Sequence, residues 1–123
     1  MGKFRKIQAI NWPVTVKLAR GNNKFDSEKI EIKFKRLTAD EMKDISLRHQ
    51  ITEDMSESEK AEIGDRIIDD VKDMIVGWSI DDENNEPMAF NDENLDLVMN
   101  HPDYRNAIIK GFYDVQIGGA AKN

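Results

Sequence analysis

The hydrophobic pattern of this chain changes its period at Thr38. Between residues 12 and 35 apolar side chains recur at every second position in two runs, whereas after Thr38 they recur at every third or fourth position. A period of two is typical of a strand with one buried face, and a period of about 3.6 is typical of an amphipathic helix. The pattern therefore predicts an α+β fold, in which an N-terminal antiparallel β-hairpin or small sheet is followed by about four α-helices packed on it.

The first part of the chain predicts two strands. Residues 12–20 alternate apolar and polar side chains, and a second alternating run begins only at Ile30. The intervening residues include Gly21, Asn22 and Asn23, which tolerate the positive φ angles of a chain reversal. We therefore expect a β-hairpin with a long loop.

Two capping boxes predict where helices begin. Thr38 stands three residues before Glu41, and Ser56 stands three residues before Glu59. In each pair the hydroxyl and the carboxylate can accept hydrogen bonds from backbone N–H groups at the helix start. The inward residues of the first helix are Met42, Ile45 and His49. The apolar face of the second helix comprises Ile63, Ile67, Val71, Met74, Ile75 and Trp78.

Two more helices are predicted in the second half of the chain. Asn91 suits an N-cap, and Asp92 and Glu93 follow it, where their charges are favourable against the helix dipole. Pro102 breaks this helix and can occupy the first turn of the last one. The glycine pair at residues 118–119 should end the last helix. Its inward face comprises Tyr104, Ala107, Ile108, Gly111, Phe112 and Val115.

A length of 123 residues is sufficient for one compact domain. We divide the chain into a basic N-terminal arm at residues 1–11, a single α+β domain at residues 12–117 and a flexible C-terminal tail at residues 118–123. No apolar run approaches the roughly 20 residues of a membrane-spanning helix, and the arm lacks the apolar stretch of a signal peptide. We therefore expect a soluble chain that stays in the cytosol.

Residue types that carry catalysis are scarce. The chain has no cysteine, its seven glycines form no phosphate-binding motif, and its two histidines form no helical metal pair. The acidic run at residues 81–86 is similar to a calcium loop, but Glu86 stands where that loop requires glycine. We expect no catalytic residue, no metal and no cofactor. A small metal-dependent enzyme that uses Asp81 and Glu83 is the least favoured hypothesis.

Charge is distributed unevenly along the chain, whose net charge is −6. Residues 1–37 contain ten basic and three acidic side chains, whereas residues 38–103 contain five basic and twenty acidic ones. Such asymmetry acts on association and orientation rather than on the fold. It predicts a protein whose function is to bind a partner.

Three lysines of the second strand are candidate contacts for that partner. Lys29, Lys33 and Lys35 alternate with apolar residues, so they should share the outer face of the hairpin. A small nucleic-acid-binding module that uses this basic hairpin is the alternative hypothesis, although no aromatic side chains are interleaved with the lysines. Protection of a sheet edge from aggregation would also explain them.

The last helix carries a second apolar face. Ile109, Tyr113 and Ile117 recur at every fourth residue, away from the inward face of this helix. Either the domain buries these side chains, or they contact another chain. They are therefore candidates for protein interaction.

Short motifs in the second half resemble a known family. They are Val76-Gly77-Trp78, an acidic turn, residues 86–95 (Glu-Pro-Met-Ala-Phe-Asn-Asp-Glu-Asn-Leu), His101-Pro102-Asp103-Tyr104-Arg105 before an apolar helix, and Lys122-Asn123. With the strand-to-helix junction at residues 34–38, they resemble the tail assembly chaperones of long-tailed, lambda-like bacteriophages over most of residues 12–123. Asn85 stands in the acidic turn where we expect glycine, and Asn can adopt the same left-handed conformation.

The resemblance implies a non-enzymatic role. Members of this family coat the tape measure protein, keep it soluble until tail tube subunits polymerise around it, and leave before the virion matures. This implies a location in the host bacterial cytoplasm and neither a nucleic-acid nor a membrane partner. Many members also have a longer form, made by a programmed frameshift, that recruits the major tail tube protein. Because a coat needs many weak contacts, we also expect self-association.

Overall fold

The computed structural model describes residues 2–117. Its elements, in chain order, are β1 (Ala9–Gly21), β2 (Lys24–Lys35), α1 (Ala39–Arg48), α2 (Glu57–Met74), β3 (Ile75–Ser79), α3 (Asp92–Met99) and α4 (Pro102–Gln116). This order of strands and helices confirms the predicted α+β fold. The predicted tail at residues 118–123, including the glycine pair expected to end the last helix, lies outside the described residues.

The three strands form one antiparallel sheet in the order β1, β2, β3. The turn between β1 and β2 consists only of Asn22 and Asn23, with φ angles of 52° and 59°. The prediction of a long loop was therefore wrong. Residues 24–29 of β2 belong to the hairpin but are exposed. Because neither face of β2 is buried over these residues, no alternation of apolar residues is required there.

The second helix is shorter than the apolar pattern predicts. α2 ends at Met74, and the chain continues as β3, which pairs with β2. The placement of Ile75 and Trp78 on a helical face was therefore wrong. Two β-branched residues followed by a glycine favour a strand, and the pairing provides partners for backbone groups at the second edge of β2.

The helices cover one face of the sheet. In the central part of β1 and β2, even-numbered side chains are buried toward the helices and odd-numbered ones are exposed. α4 lies against β1, and Gly111 permits a close approach, because a Cβ atom there would lie 2.9 Å from Cγ2 of Val14. The buried core comprises Val14, Val16, Ile30, Ile32, Phe34, Val71, Ile75, Ile80, Leu95, Val98, Met99, Ile108, Phe112 and Val115.

The predicted helix starts are confirmed. Thr38 and Ser56 each accept the bond from the third residue of their helix, and the glutamate at that position bonds back to the N-cap backbone. Asn91 caps α3, and Pro102 occupies the first turn of α4.

Hydrogen bonds connect the C-terminal end of α4 to the junction between β2 and α1. The N–H of Leu37 donates to Oε1 of Gln116 at 2.9 Å, and Nε2 of Gln116 donates to the carbonyl of Lys35 at 2.8 Å. The Arg36 guanidinium donates to the carbonyl of Val115. These bonds hold the last helix across the sheet.

Candidate interaction surfaces

The outer face of the sheet is basic and open to solvent. Lys29, Lys33 and Lys35 are exposed, and the residues between them, such as Ile32 and Phe34, are fully buried. Alternate residues of a strand are about 7 Å apart, so these lysines form a row along β2. The structure therefore places the three predicted lysines on one surface, here called the basic face.

Neighbouring strands extend the basic face. Lys17 of β1 pairs with Ser27 and is exposed, and Gly77 of β3 pairs with Lys33. A Cβ atom at Gly77 would lie 3.7 Å from Cβ of Lys33, so the lysine stem lies beside this glycine. Glu31 is the single acidic residue among the outward-facing positions of β1 and β2. The basic face thus carries a net positive charge.

The opposite side of the molecule is acidic. α2 contains seven acidic and three basic residues, and its Asp65, Asp69 and Asp73 are exposed. These carboxylates lie on the helix layer, whereas the basic face is the uncovered side of the sheet. The charge asymmetry of the sequence therefore becomes a charge difference between two faces of one domain.

Carboxylates and a lysine of the helix layer have perturbed pKa values. The pKa of Glu41 is lowered chiefly because it accepts the backbone N–H of Thr38, with smaller contributions from Lys35 and Lys6. The pKa of Glu59 is lowered by the equivalent bond from Ser56. A hydrogen bond to Asp96 raises the pKa of Lys72.

The second face of α4 is divided between the core and the surface. Ile109 and Tyr113 are half-buried and pack against the core, whereas Ile117 is 57% exposed. The structure therefore does not place the three predicted residues on one open surface. Of the three, Ile117 is the most accessible to a partner.

Tyr113 belongs to a polar cluster that joins three helices. Nε2 of His49 lies 2.7 Å from Oδ2 of Asp70, and Nδ1 of His49 contacts the Tyr113 hydroxyl. An ionised carboxylate only accepts hydrogen bonds, so Nε2 carries a proton, and in neutral His49 the Nδ1 atom accepts from Tyr113. Arg48 bonds the other oxygen of Asp70 at 3.0 Å. Burial, followed by the charge of Asp70, raises the pKa of Tyr113.

Sequence reasoning identified only part of this cluster. His49 was placed on the inward side of α1, and it is buried, but Asp70 was not considered. One signal in the sequence could have indicated Asp70: it directly precedes Val71, and Val71 lies on the apolar face of α2. A carboxylate at that border can reach a buried polar group on a neighbouring helix.

The acidic run forms a hydrogen-bonded turn. Oδ1 of Asp82 accepts the N–H groups of Asn84 at 2.8 Å and Glu86 at 3.1 Å. Asn85 has a φ angle of 61°, which confirms the predicted left-handed conformation. Within residues 2–117, no group of three or more histidine, aspartate or glutamate side chains is arranged to hold a metal ion.

The motifs on either side of this turn contact each other. The indole N–H of Trp78 donates to the carbonyl of Met88 at 2.8 Å, and the Trp78 ring meets Phe90 edge to face with centroids 5.0 Å apart. Asn94 then donates from Nδ2 to the carbonyl of Ala89 at 2.8 Å. Two of the motifs that resemble the family, Val76-Gly77-Trp78 and residues 86–95, are thus parts of one packed corner.

A family model described as phage tail assembly chaperone matches residues 1–123. The chain belongs to this family. The match includes both charged faces and the packed corner around Trp78. Neither the comparison with curated proteins nor that with solved structures gave a match.

The described residues of this tail assembly chaperone include several exposed apolar side chains. Among residues 2–117, no helix is both long and apolar enough to cross a bilayer. The candidate sites are therefore the basic face, the acidic helix layer and the exposed apolar side chains. Members of the last group include Phe25, Leu47, Ile51, Leu97 and Ile117.

Proposed function

We propose that this tail assembly chaperone binds the tape measure protein and keeps it soluble and extended while tail tube subunits polymerise around it. The observation that carries the proposal is the family match over residues 1–123. The role is non-enzymatic, because it needs only reversible contacts along a long polypeptide. It places the protein in the host bacterial cytoplasm and outside the mature virion.

The charged faces support an electrostatic mode of self-association. In the proposed array, the basic face with Lys29 and Lys33 meets the acidic α2 surface of the next copy. Because these faces lie on different sides of the domain, the contact is heterologous, and the head-to-tail array that it forms need not close. Such an array would present the same client-binding surface many times along the tape measure protein, which increases the total affinity.

We also propose that a longer, frameshifted form recruits the major tail tube protein. In this scheme the short form coats the tape measure protein, and the longer form delivers tube subunits to the same complex. The two forms would share the basic face, so they would join one array.

The client is tested by co-expression with the tape measure protein of the same phage. We expect the two proteins to co-purify and the tape measure protein to precipitate when it is expressed alone. A tape measure protein that is equally soluble without the chaperone, or that does not co-purify with it, would overturn the proposed function.

Self-association is tested by sedimentation across a salt series. The variant with Lys29→Glu and Lys33→Glu should associate less than the wild type at low salt, and the association of the wild type should weaken as salt is added. The matched control is a variant with Lys43→Glu and Lys110→Glu, which changes the net charge equally but outside both the basic face and α2. A wild type that is monomeric at every salt and protein concentration would contradict the array.

The nucleic-acid alternative makes a different prediction for the same variants. Binding to DNA or RNA would fall steeply with salt and would depend on Lys29 and Lys33. We expect no such binding in a gel-shift assay with duplex DNA and single-stranded RNA. A lysine-dependent shift with unchanged self-association would favour the nucleic-acid module instead.

A further inference from the structure

The outer edge of β1 is a long strand edge that faces a groove. In the sheet, β1 pairs only with β2, so one side of β1 is an edge. A groove of about 620 Å³ runs between this edge and α4. Its walls include Thr15 and Lys17 on the strand and Ala107 and Gly111 on the helix.

Two observations show which backbone groups point into this groove. The N–H of Ala19 donates to Oδ2 of Asp103 on α4 at 3.3 Å, so the odd-numbered residues of β1 direct their N–H groups to the edge. Pro13 has no N–H and also stands at an odd position, where no ladder bond to β2 is lost. The edge therefore offers the N–H and C=O groups of Asn11, Thr15 and Lys17.

This stretch is long enough for a short strand to pair with it. From Asn11 to Lys17 the edge extends about 20 Å. Within residues 2–117, no hydrogen bond from α4 or from a loop reaches the backbone of Asn11, Thr15 or Lys17. An extended polypeptide that joins a sheet edge gains main-chain hydrogen bonds, and its alternate side chains give specificity.

The surroundings of the edge select the side chains of such a polypeptide. An added strand would place every second side chain beside the basic face, near Lys17 and Lys29. The other side chains would lie over α4, where the groove is lined by the small residues Ala107 and Gly111 and by the charged residues Asp103, Lys110 and Asp114. Acidic residues at the positions beside the basic face would be complementary to its lysines. Small apolar residues at the alternate positions would fit beside Ala107 and Gly111.

We propose that the β1 edge binds an extended segment of another protein that alternates acidic and small apolar residues. A second copy of β1 is disfavoured as the occupant, because this strand carries Lys17 and Arg20 and no acidic residue. Two copies would bring like charges together in one ladder. The inference does not rest on the tape measure protein or on the head-to-tail array, since neither proposal was argued from the β1 edge.

The test uses the full chain and two synthetic ten-residue peptides. One peptide alternates valine with glutamate, and the other alternates valine with lysine. The glutamate peptide should bind, and it should slow hydrogen exchange of the amides of Asn11, Thr15 and Lys17. The lysine peptide should bind at least about tenfold more weakly, and equal binding of the two peptides would overturn the proposal.

A proline variant tests the edge itself. Thr15→Pro removes an edge N–H without removing a ladder bond to β2, and it should weaken binding of the glutamate peptide by roughly tenfold. Thr15→Ala, which keeps the N–H, is the matched control and should bind as the wild type does. Unchanged binding by the folded proline variant would refute the edge as the site.

A charge variant covers the case in which the proline variant does not fold. Lys17→Glu keeps every backbone group, and it should also weaken binding of the glutamate peptide, by about fivefold or more. If the three edge amides instead become protected with rising protein concentration and without peptide, a second copy occupies the edge and the proposal fails.

Discussion

The imidazole of His49 donates from Nε2 to the carboxylate of Asp70, across a distance of 2.7 Å. This bond joins the end of α1 to the middle of α2, and the contact of Nδ1 with Tyr113 adds α4. Because the His49 side chain is almost fully buried, the cluster determines how the three helices are positioned relative to one another.

Replacement of His49 should destabilise the domain. His49→Leu removes both contacts of the ring and leaves Tyr113 without its partner, so the free energy of unfolding should fall by about 2 kcal/mol. Tyr113→Phe, which removes only one hydrogen bond, should cost about 1 kcal/mol. Urea unfolding measures both values. Equal stabilities of wild type and His49→Leu would show that the cluster contributes nothing.

Two glycine substitutions should have opposite effects. Gly111→Ala places a Cβ atom 2.9 Å from Val14, so it should destabilise the protein by about 2 kcal/mol. Gly64→Ala in α2 meets no atom within 4 Å and should stabilise it by about 1 kcal/mol through helix propensity. Thermal unfolding followed by circular dichroism measures both. A Gly111→Ala variant at least as stable as the wild type would contradict the close packing of α4 on β1.

Stability should decline at alkaline pH. Burial raises the pKa values of Tyr104 and Tyr113, so the folded state favours the neutral phenols. Their contribution is complete below the ordinary tyrosine pKa of about 10 and is lost as pH rises through the folded-state pKa values. Denaturant unfolding from about pH 8 to about pH 11, which brackets the ordinary tyrosine pKa, should show this decline in the free energy of unfolding. Tyr113→Phe should make the decline shallower, and an unchanged slope would contradict burial as its cause.

The capping glutamates should contribute to the loss of stability at acid pH. The pKa values of Glu41 and Glu59 are lowered by the bonds that they accept at their N-caps. Their contribution is present above the unfolded pKa of about 4.3 and is lost as pH falls through the lowered values. The variant with Glu41→Gln and Glu59→Gln should therefore show a weaker acid dependence in unfolding experiments. Glu57→Gln, whose carboxylate accepts no cap bond, should behave as the wild type.

The two ends of the second α4 face should differ in a client assay. Ile117→Asp changes an exposed side chain, so it should reduce binding to the tape measure protein while the melting temperature stays near that of the wild type. The variant with Ile109→Asp and Tyr113→Ala should lose helical signal and melt earlier, because both side chains are half-buried against the core. If Ile117→Asp binds the client normally, this face does not contact it.

Local signals in the sequence were sufficient for most of the fold. The period change at Thr38 and the two capping boxes depend on residues close in sequence, and the structure contains them where they were predicted. The position of the last helix likewise follows from Pro102, because proline fits the first turn and disfavours a later one.

Features that depend on distant partners were missed. Ile75 has the spacing of a helical apolar residue, and pairing with the available edge of β2 decides for a strand there. From the sequence alone, Asp70 is indistinguishable from a solvent-exposed aspartate, because its partner His49 lies on another helix. The placement of the candidate residues was predicted in part. Alternation put Lys29, Lys33 and Lys35 on one face, whereas the partial burial of Tyr113 depends on packing between helices.

The pairing of β3 with β2 also has a consequence for the order of folding. Ser79 pairs with Glu31, so two complete helices separate the partners, whereas β1 and β2 meet through a two-residue turn. The hairpin can form as soon as both of its strands have left the ribosome, but the third strand needs a long loop closure and the helices to hold it. During synthesis, the edge of β2 stays uncovered for that interval, and the nascent chain is then most vulnerable to aggregation.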